Sequence, residues 1–172
     1  MAVVQGCFIL EVFDTRLEQA DIMPKLSQLL ELAGGRAKAL GLPYAGALTP
    51  QETAEILKLA PGARLVDVRS RAELDWVGRI PQAVEIEWAF YPGMAENPHF
   101  IAQLKQQVDR EALLFFMSRS GRRSDLAARA ATEAGLTNCY NVLEGFEGDR
   151  DANGRRNTIG GWRLAGLPWT QS

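Results

Sequence analysis

Two kinds of apolar pattern alternate along this chain. Short, nearly continuous apolar runs at residues 63–68, 83–86, 112–117 and 139–143 are bounded by turn-forming residues and read as buried strands. Between them, apolar residues recur every third or fourth position, the spacing of one helix face. Thr49-Pro50-Gln51-Glu52 is a capping box with proline at the first helical position, and Ile56, Leu57 and Ala60 follow on the apolar side. Ser70-Arg71-Ala72-Glu73 is a second capping box, opening a short helix through Trp76. Asn97-Pro98 is expected to cap a third helix with Phe100, Ile101, Leu104 and Val108 facing inward. The run at 112–117 is the most apolar and is expected at the centre of the sheet; a helix to about residue 134 follows it and is closed by Gly135. A last short helix is expected at residues 162–165, with Gly166-Leu167-Pro168-Trp169 packing back.

The first part of the chain is patterned differently. Val3, Val4, Phe8, Ile9, Leu10, Val12 and Phe13 suit a short strand or a packed arm. Pro24 then opens a helical pattern with Leu26, Leu29, Leu30 and Ala33, which Gly34-Gly35 weakens or ends. That helix is expected to pack on the core, with a dimer or partner contact as the functional alternative. Together the elements predict an α/β fold, a central, mostly parallel sheet flanked by helices on both faces. Residues 1–46 form an N-terminal extension and residues 47–172 the main domain.

Composition narrows the class. With 47% apolar and 23% charged residues the chain reads as globular. A net charge of −2 gives no overall drive toward nucleic acid or a membrane surface, so neither is expected as a partner and any anion affinity must be local. The two cysteines, Cys7 and Cys139, are expected as reduced thiols in a cytoplasmic protein, with Cys139 in the core. No apolar run reaches the ~18 residues of a membrane helix, and the start has no basic region or cleavage site of a signal peptide.

The candidate chemistry lies where the central strand ends. Ser118-Arg119-Ser120-Gly121-Arg122-Arg123-Ser124 is a small, basic, hydroxyl-rich turn running into a helix. Backbone N–H groups of such a turn, with the positive end of the following helix, form an anion cradle. Gly121 lets the chain turn, and Arg119, Arg122 and Arg123 add charge. A cysteine in such a pocket would have a depressed pKa. Asp67 and Arg69, at another strand end, come to the same edge of a parallel sheet.

The turn resembles the active-site loop of the rhodaneses, the sulfurtransferases, which reads Cys-Arg-Ser-Gly-x-Arg-Ser. Leu65-Val66-Asp67-Val68-Arg69 resembles their Asp-Val-Arg strand end, and Gly78-Arg79-Ile80-Pro81 their Gly-His-Ile-Pro turn. Asn141-Val142-Leu143-Glu144-Gly145 and Gly161-Trp162 with Gly166-Leu167-Pro168 are similar to the family's C-terminal end. The resemblance implies that a loop cysteine takes the outer sulfur of a thiosulfate-like or persulfide donor. It then passes that sulfur to a thiol, possibly a protein thiol, or to cyanide, without metal or other cofactor. It implies that Arg119, Ser120, Gly121, Arg122, Arg123 and Ser124 hold the donor, that Asp67 and Arg69 order the loop from behind, and that position 118 is the nucleophile. Trp88, beside Phe90, Tyr91 and Pro92, is expected as core packing or as an apolar wall that sets acceptor size, and Trp76, Trp162 and Trp169 as packing.

The departure is at that nucleophile. Ser118 stands where the family has cysteine, and a serine cannot carry a persulfide. Cys7 and Cys139 do not replace it, and His99 is expected as an exposed helix residue rather than a base. Either the chain is an inactive Cys→Ser form of a sulfurtransferase, which the otherwise intact loop favours, or it is a naturally non-catalytic module that binds anions or proteins. Four residues separate Ser118 from Arg123, the sulfur-transfer length; rhodanese-like phosphatases have one more. Asp149-Arg150-Asp151-Ala152-Asn153-Gly154 opens like a calcium loop, but its twelfth position is Gly160 rather than an acidic residue. Residues 146–160 therefore read as a turn-rich insertion, forming a rim or a partner contact.

Overall fold

The computed structural model describes the backbone of residues 7–171 and the side chains of residues 21–171. In chain order the elements are α1 (Cys7–Leu40), β1 (Gly46–Leu48), α2 (Pro50–Leu59), β2 (Arg64–Asp67), α3 (Arg71–Trp76), β3 (Val84–Glu85), β4 (Ala89–Phe90), β5 (Ala95–Glu96), α4 (Phe100–Gln107), β6 (Leu114–Met117), α5 (Arg122–Glu133) and β7 (Cys139–Val142). Five strands form one parallel sheet in the order β1-β7-β6-β2-β3, which puts the apolar β6 in the middle as expected. β4 and β5 form a separate antiparallel hairpin. No helix among the described residues is long and apolar enough to cross a membrane.

Strand periodicity divides the core into two layers. Val66, Leu114 and Phe116 face one side, where they meet Phe100 and Leu104 of α4 and Ala127, Ala128 and Ala131 of α5. Leu65, Phe115 and Met117 face the other, where they meet Ala33 of α1, Ala54 and Ile56 of α2, and Trp162. Because successive strand residues point to opposite faces, one short apolar run serves both layers.

Both capping boxes form. Thr49 Oγ1 accepts from the Glu52 N–H, and Glu52 Oε2 accepts from the Thr49 N–H at 2.8 Å. Ser70 and Glu73 repeat the arrangement at the start of α3. Other expectations fail where local rules are overridden. Residues 8–13 are helical rather than a strand or arm, while Val3 and Val4 lie outside the described residues. Pro24 and the glycine pair lie within α1, because the apolar spacing continues on both sides of them. The cap position of α4 is His99, with no side-chain bond of its own, and Asn97 caps the turn just before it: Asn97 Oδ1 accepts from the His99 N–H at 3.0 Å, while its Nδ2 donates to the Glu87 carbonyl and Gln103 Oε1, both at 2.9 Å. Residues 162–165 form turns rather than a helix, and β1 and the β4–β5 hairpin arise where no strand is expected from the sequence.

Candidate active site

β6 and β2 lie side by side and parallel, with Met117 in register with Asp67. The chain therefore leaves both strands at the same sheet edge, where parallel sheets place their ligand sites. After β6 it turns sharply. Gly121 takes φ +89° immediately before α5, a conformation that disfavours any residue with a Cβ. No side chain caps α5, so the N–H groups of its first turn are left to a ligand or water.

The loop is tied down from beneath. The Ser118 carbonyl accepts from the Phe146 N–H and the Arg119 carbonyl from the Glu147 N–H, both at 2.9 Å. Gly145 stands so close to Ser118 and Arg119 that a Cβ there would collide with their backbone. Asn141 Nδ2 donates to the Gly121 carbonyl at 3.2 Å. Ser118 is only 1% exposed, and its Oγ is 3.0 Å from Ser124 Oγ, itself buried.

Two ion pairs flank the loop. Arg123 donates from both Nη groups to the two oxygens of Glu73, at 2.7 Å each, across fifty positions of sequence. Burial pushes the Glu73 carboxyl up, but the Arg123 guanidinium and the Ser70 N–H and hydroxyl outweigh it and hold the group at about 2. Behind the loop, Asp67 and Arg69 are wholly buried. Arg69 donates Nη2 to Asp67 Oδ2 at 2.6 Å and to the Gly78 carbonyl at 2.9 Å. Its guanidinium carbon lies 3.9 Å from the centre of the Phe146 ring, while its Nη1 has no hydrogen-bond partner. Asp67 and Arg69 are thus linked to the loop after β6 through Phe146 and the β2–β6 pairing.

Ser118, Arg119, Ser120, Arg122 and Arg123 line one cavity of about 540 Å³. Gly121 and Ser124 are buried in the loop that forms this wall. Arg123 lines the cavity but is paired with Glu73, which neutralises its charge and braces the loop, while Arg119 and Arg122 are exposed beside the start of α5. Neither Arg119 nor Arg122 has an ion pair among the described residues. Of the two alternatives for Trp88 the structure takes core packing: it lies edge-on to Phe100 at 5.1 Å inside the core and is not part of the cavity wall. The apolar wall is Trp76, Val77, Tyr91 and Met94. Trp76, read from sequence as packing, is 70% exposed.

Sequence reasoning missed Glu73 and Trp76 as parts of the site. A signal was present. Ala72, Glu73, Trp76 and Val77 all line the cavity, and their spacing is one face of α3. Glu73 was absorbed into its cap, and nothing local pointed to Arg123. His99 is exposed on another element. Cys139 is buried, and that burial pushes its thiol up to about 11, the opposite of an activated nucleophile. The side chain of Cys7 lies outside the described residues. In the 146–160 loop, Asp151 Oδ1 accepts from the N–H groups of Asn153 and Arg155, closing a turn, and among the described residues no acidic cluster suited to a metal forms there.

A model of the rhodanese-like domain matches residues 49–152. RC0915, an uncharacterized protein of Rickettsia conorii, is 36% identical over 113 residues, which span 62% of this chain and 82% of that protein. The crystal structure of Rv0390 from M. tuberculosis is 45% identical, with a TM-score of 0.69, and the match covers 75% of this chain and 99% of that one. The solution structure of the rhodanese-like domain of the Anabaena sp. protein Alr3790 is 13% identical with a TM-score of 0.53, covering 72% of this chain and 77% of that one, a likeness of fold alone.

Proposed function

The chain belongs to the rhodanese-like family, and on that footing we propose a sulfurtransferase site in which position 118 is the sulfur carrier. The observation that carries this reading is the loop 118–123. It closes around the residue 118 side chain at the end of β6, with the uncapped start of α5 and two free arginines around it. With cysteine at 118, the thiolate attacks the outer sulfur of a thiosulfate-like donor. The donor's S–S bond breaks and sulfite leaves with the electron pair. The resulting persulfide gives its terminal sulfur to cyanide or a thiol, and the thiolate is restored. Loop N–H groups, Arg119 and Arg122 hold the anionic donor and oppose charge build-up on the leaving oxyanion. Arg123, clamped by Glu73, holds the loop's shape.

Ser118 interrupts this scheme. Among the described residues its hydroxyl is bonded to the Ser124 hydroxyl, which is no base, and oxygen cannot store the sulfur. The chain as written is therefore a Cys→Ser form that binds the donor anion without turnover. The intended setting is the reducing cytoplasm, where Cys7 and Cys139 remain thiols. The test is to assay the chain beside Ser118→Cys with thiosulfate and cyanide. Thiocyanate is expected from Ser118→Cys alone. Inactivity of both, with anion binding retained, sinks the reading.

One observation favours a second reading, a natural binding module. The Ser118 hydroxyl is buried and satisfied by Ser124, so serine sits in the loop without an orphaned polar group. A serine codon at position 118 of the source gene would favour it, and a cysteine codon would exclude it.

A further inference from the structure

The mouth of the cavity is more than an anion cradle. Trp76 and Tyr91 stand edge to face, 6.2 Å between ring centres, and are 70% and 59% exposed. Met94, on the same wall, is 46% exposed. A purely structural aromatic pair would be covered; an exposed cluster of Trp, Tyr and Met beside arginines has the composition of an interface centre.

The arginine side is extended by the 146–160 loop. Glu147 donates its N–H to the Arg119 carbonyl, and Asn157 donates its N–H to the Glu147 carbonyl at 2.8 Å. Arg156, next to Asn157, donates Nη1 to the Gly148 carbonyl at 2.6 Å. These bonds seat Arg156 beside the catalytic loop. Burial, with the nearby charges of Arg119 and Arg150, holds its guanidinium below the usual arginine value, although Glu147 and Asp149 oppose the shift. The local balance is positive in a chain of net charge −2.

We infer that this mouth docks a protein, and that the sulfur acceptor is a cysteine thiol on an exposed segment of that protein, with acidic residues to meet Arg119 and Arg156 and an apolar side chain to cover Trp76, Tyr91 and Met94. The thiol acceptor rests on the sulfurtransferase reading; the docking surface does not. Thiosulfate and cyanide fill a small part of a cavity of about 540 Å³ and use neither the aromatic pair nor Arg156. A polypeptide reaches both rims while presenting one atom to position 118.

The test starts with the chain as written, which needs no activity. Short fluorescent peptides with a central cysteine are titrated by anisotropy at low salt. One has Asp and Leu flanks, one Lys and Leu, and one Asp and Ser. The Asp–Leu peptide is expected to bind about tenfold more tightly than either other peptide. Arg156→Glu and Trp76→Ser should each remove about tenfold of that affinity, and Arg110→Glu, before the opposite end of β6, none. Equal binding of all three peptides, or a preference that survives Arg156→Glu, overturns the proposal. In the Ser118→Cys background, Arg156→Glu should leave thiosulfate-to-cyanide transfer unchanged and lower transfer to the Asp–Leu peptide about tenfold. Equal loss with both acceptors overturns the docking role. Absence of cyanide transfer in Ser118→Cys with peptide selectivity intact sinks the sulfur-transfer reading and leaves the docking surface standing.

Discussion

Glu73 shows how one carboxylate can serve helix and site together. Its Oε2 takes the Ser70 N–H and hydroxyl, at 2.9 and 2.8 Å, and both oxygens take Arg123. Burial alone would raise the group; the Arg123 pair and the cap win and hold it at about 2 rather than the ordinary 4.5. A carboxyl depressed in the folded state contributes stability that is present above the unfolded value and is lost as pH falls through the folded one. Glu73→Gln should therefore lower stability by roughly 3 kcal/mol at neutral pH. The gap between parent and variant should close between pH ~4.5 and ~2, where the parent carboxyl takes up its proton. Urea midpoints of both proteins measured across that range check this, and a gap independent of pH would count against the ion pair. Taking the difference between two proteins removes the contribution of the other carboxylates.

At the scale of elements, the loop after β6 holds its shape through neighbours that are distant in sequence. Segment 145–147 is bonded on one side to Ser118 and Arg119 and on the other to Asn157, Trp162 and Arg163. Gly145 makes the approach possible, with φ +64° and no room for a Cβ against the Ser118 carbonyl. Gly145→Ala should push this segment off the loop, cost about 2 kcal/mol or more, and weaken sulfate or thiosulfate binding by at least several-fold. Calorimetric titration with the anion, beside a thermal melt, separates loss of the cradle from loss of the fold. These relations also explain what could be read from sequence. Capping boxes, strand runs and the loop motif are contiguous, because their physics acts over a few residues, so α2, α3, β6 and the Ser118 turn were all legible. The Arg123–Glu73 clamp, the Phe146 stack under Arg69 and the exchange of Trp88 for Trp76 at the cavity wall depend on which elements meet. Nothing in the residues near Trp88 distinguishes a core tryptophan from a wall.

For the molecule as a whole, the question is whether α1 is an appendage or part of the fold. The sequence pattern separates residues 1–46 from residues 47–172, yet α1 and the sheet share one apolar layer. Ala33 is fully buried there, Leu26, Leu29 and Leu30 pack against the same layer, and Ala33 touches the place where a Cβ on Gly46 would sit. Arg36 adds a two-oxygen pair with Glu52, at 2.5 and 2.8 Å, and donates to the Ala47 carbonyl at 3.2 Å. That pair ties α1 to the capping box of α2, whose helix covers the same face as Trp162. Removing α1 would uncover β1 at the sheet edge and expose Leu48 and Ile56, now wholly buried. At roughly 25 cal/mol per Å² of apolar surface, losing several such contacts costs on the order of 5 kcal/mol, the size of a whole domain's margin. A chain starting at residue 43 should therefore melt far below the full chain or fail to fold, whereas Arg36→Ala in the full chain should lower the melting temperature by only several degrees. If the shortened chain melts with the full one, α1 is an appendage, and residues 47–172 hold the loop at Ser118 without it.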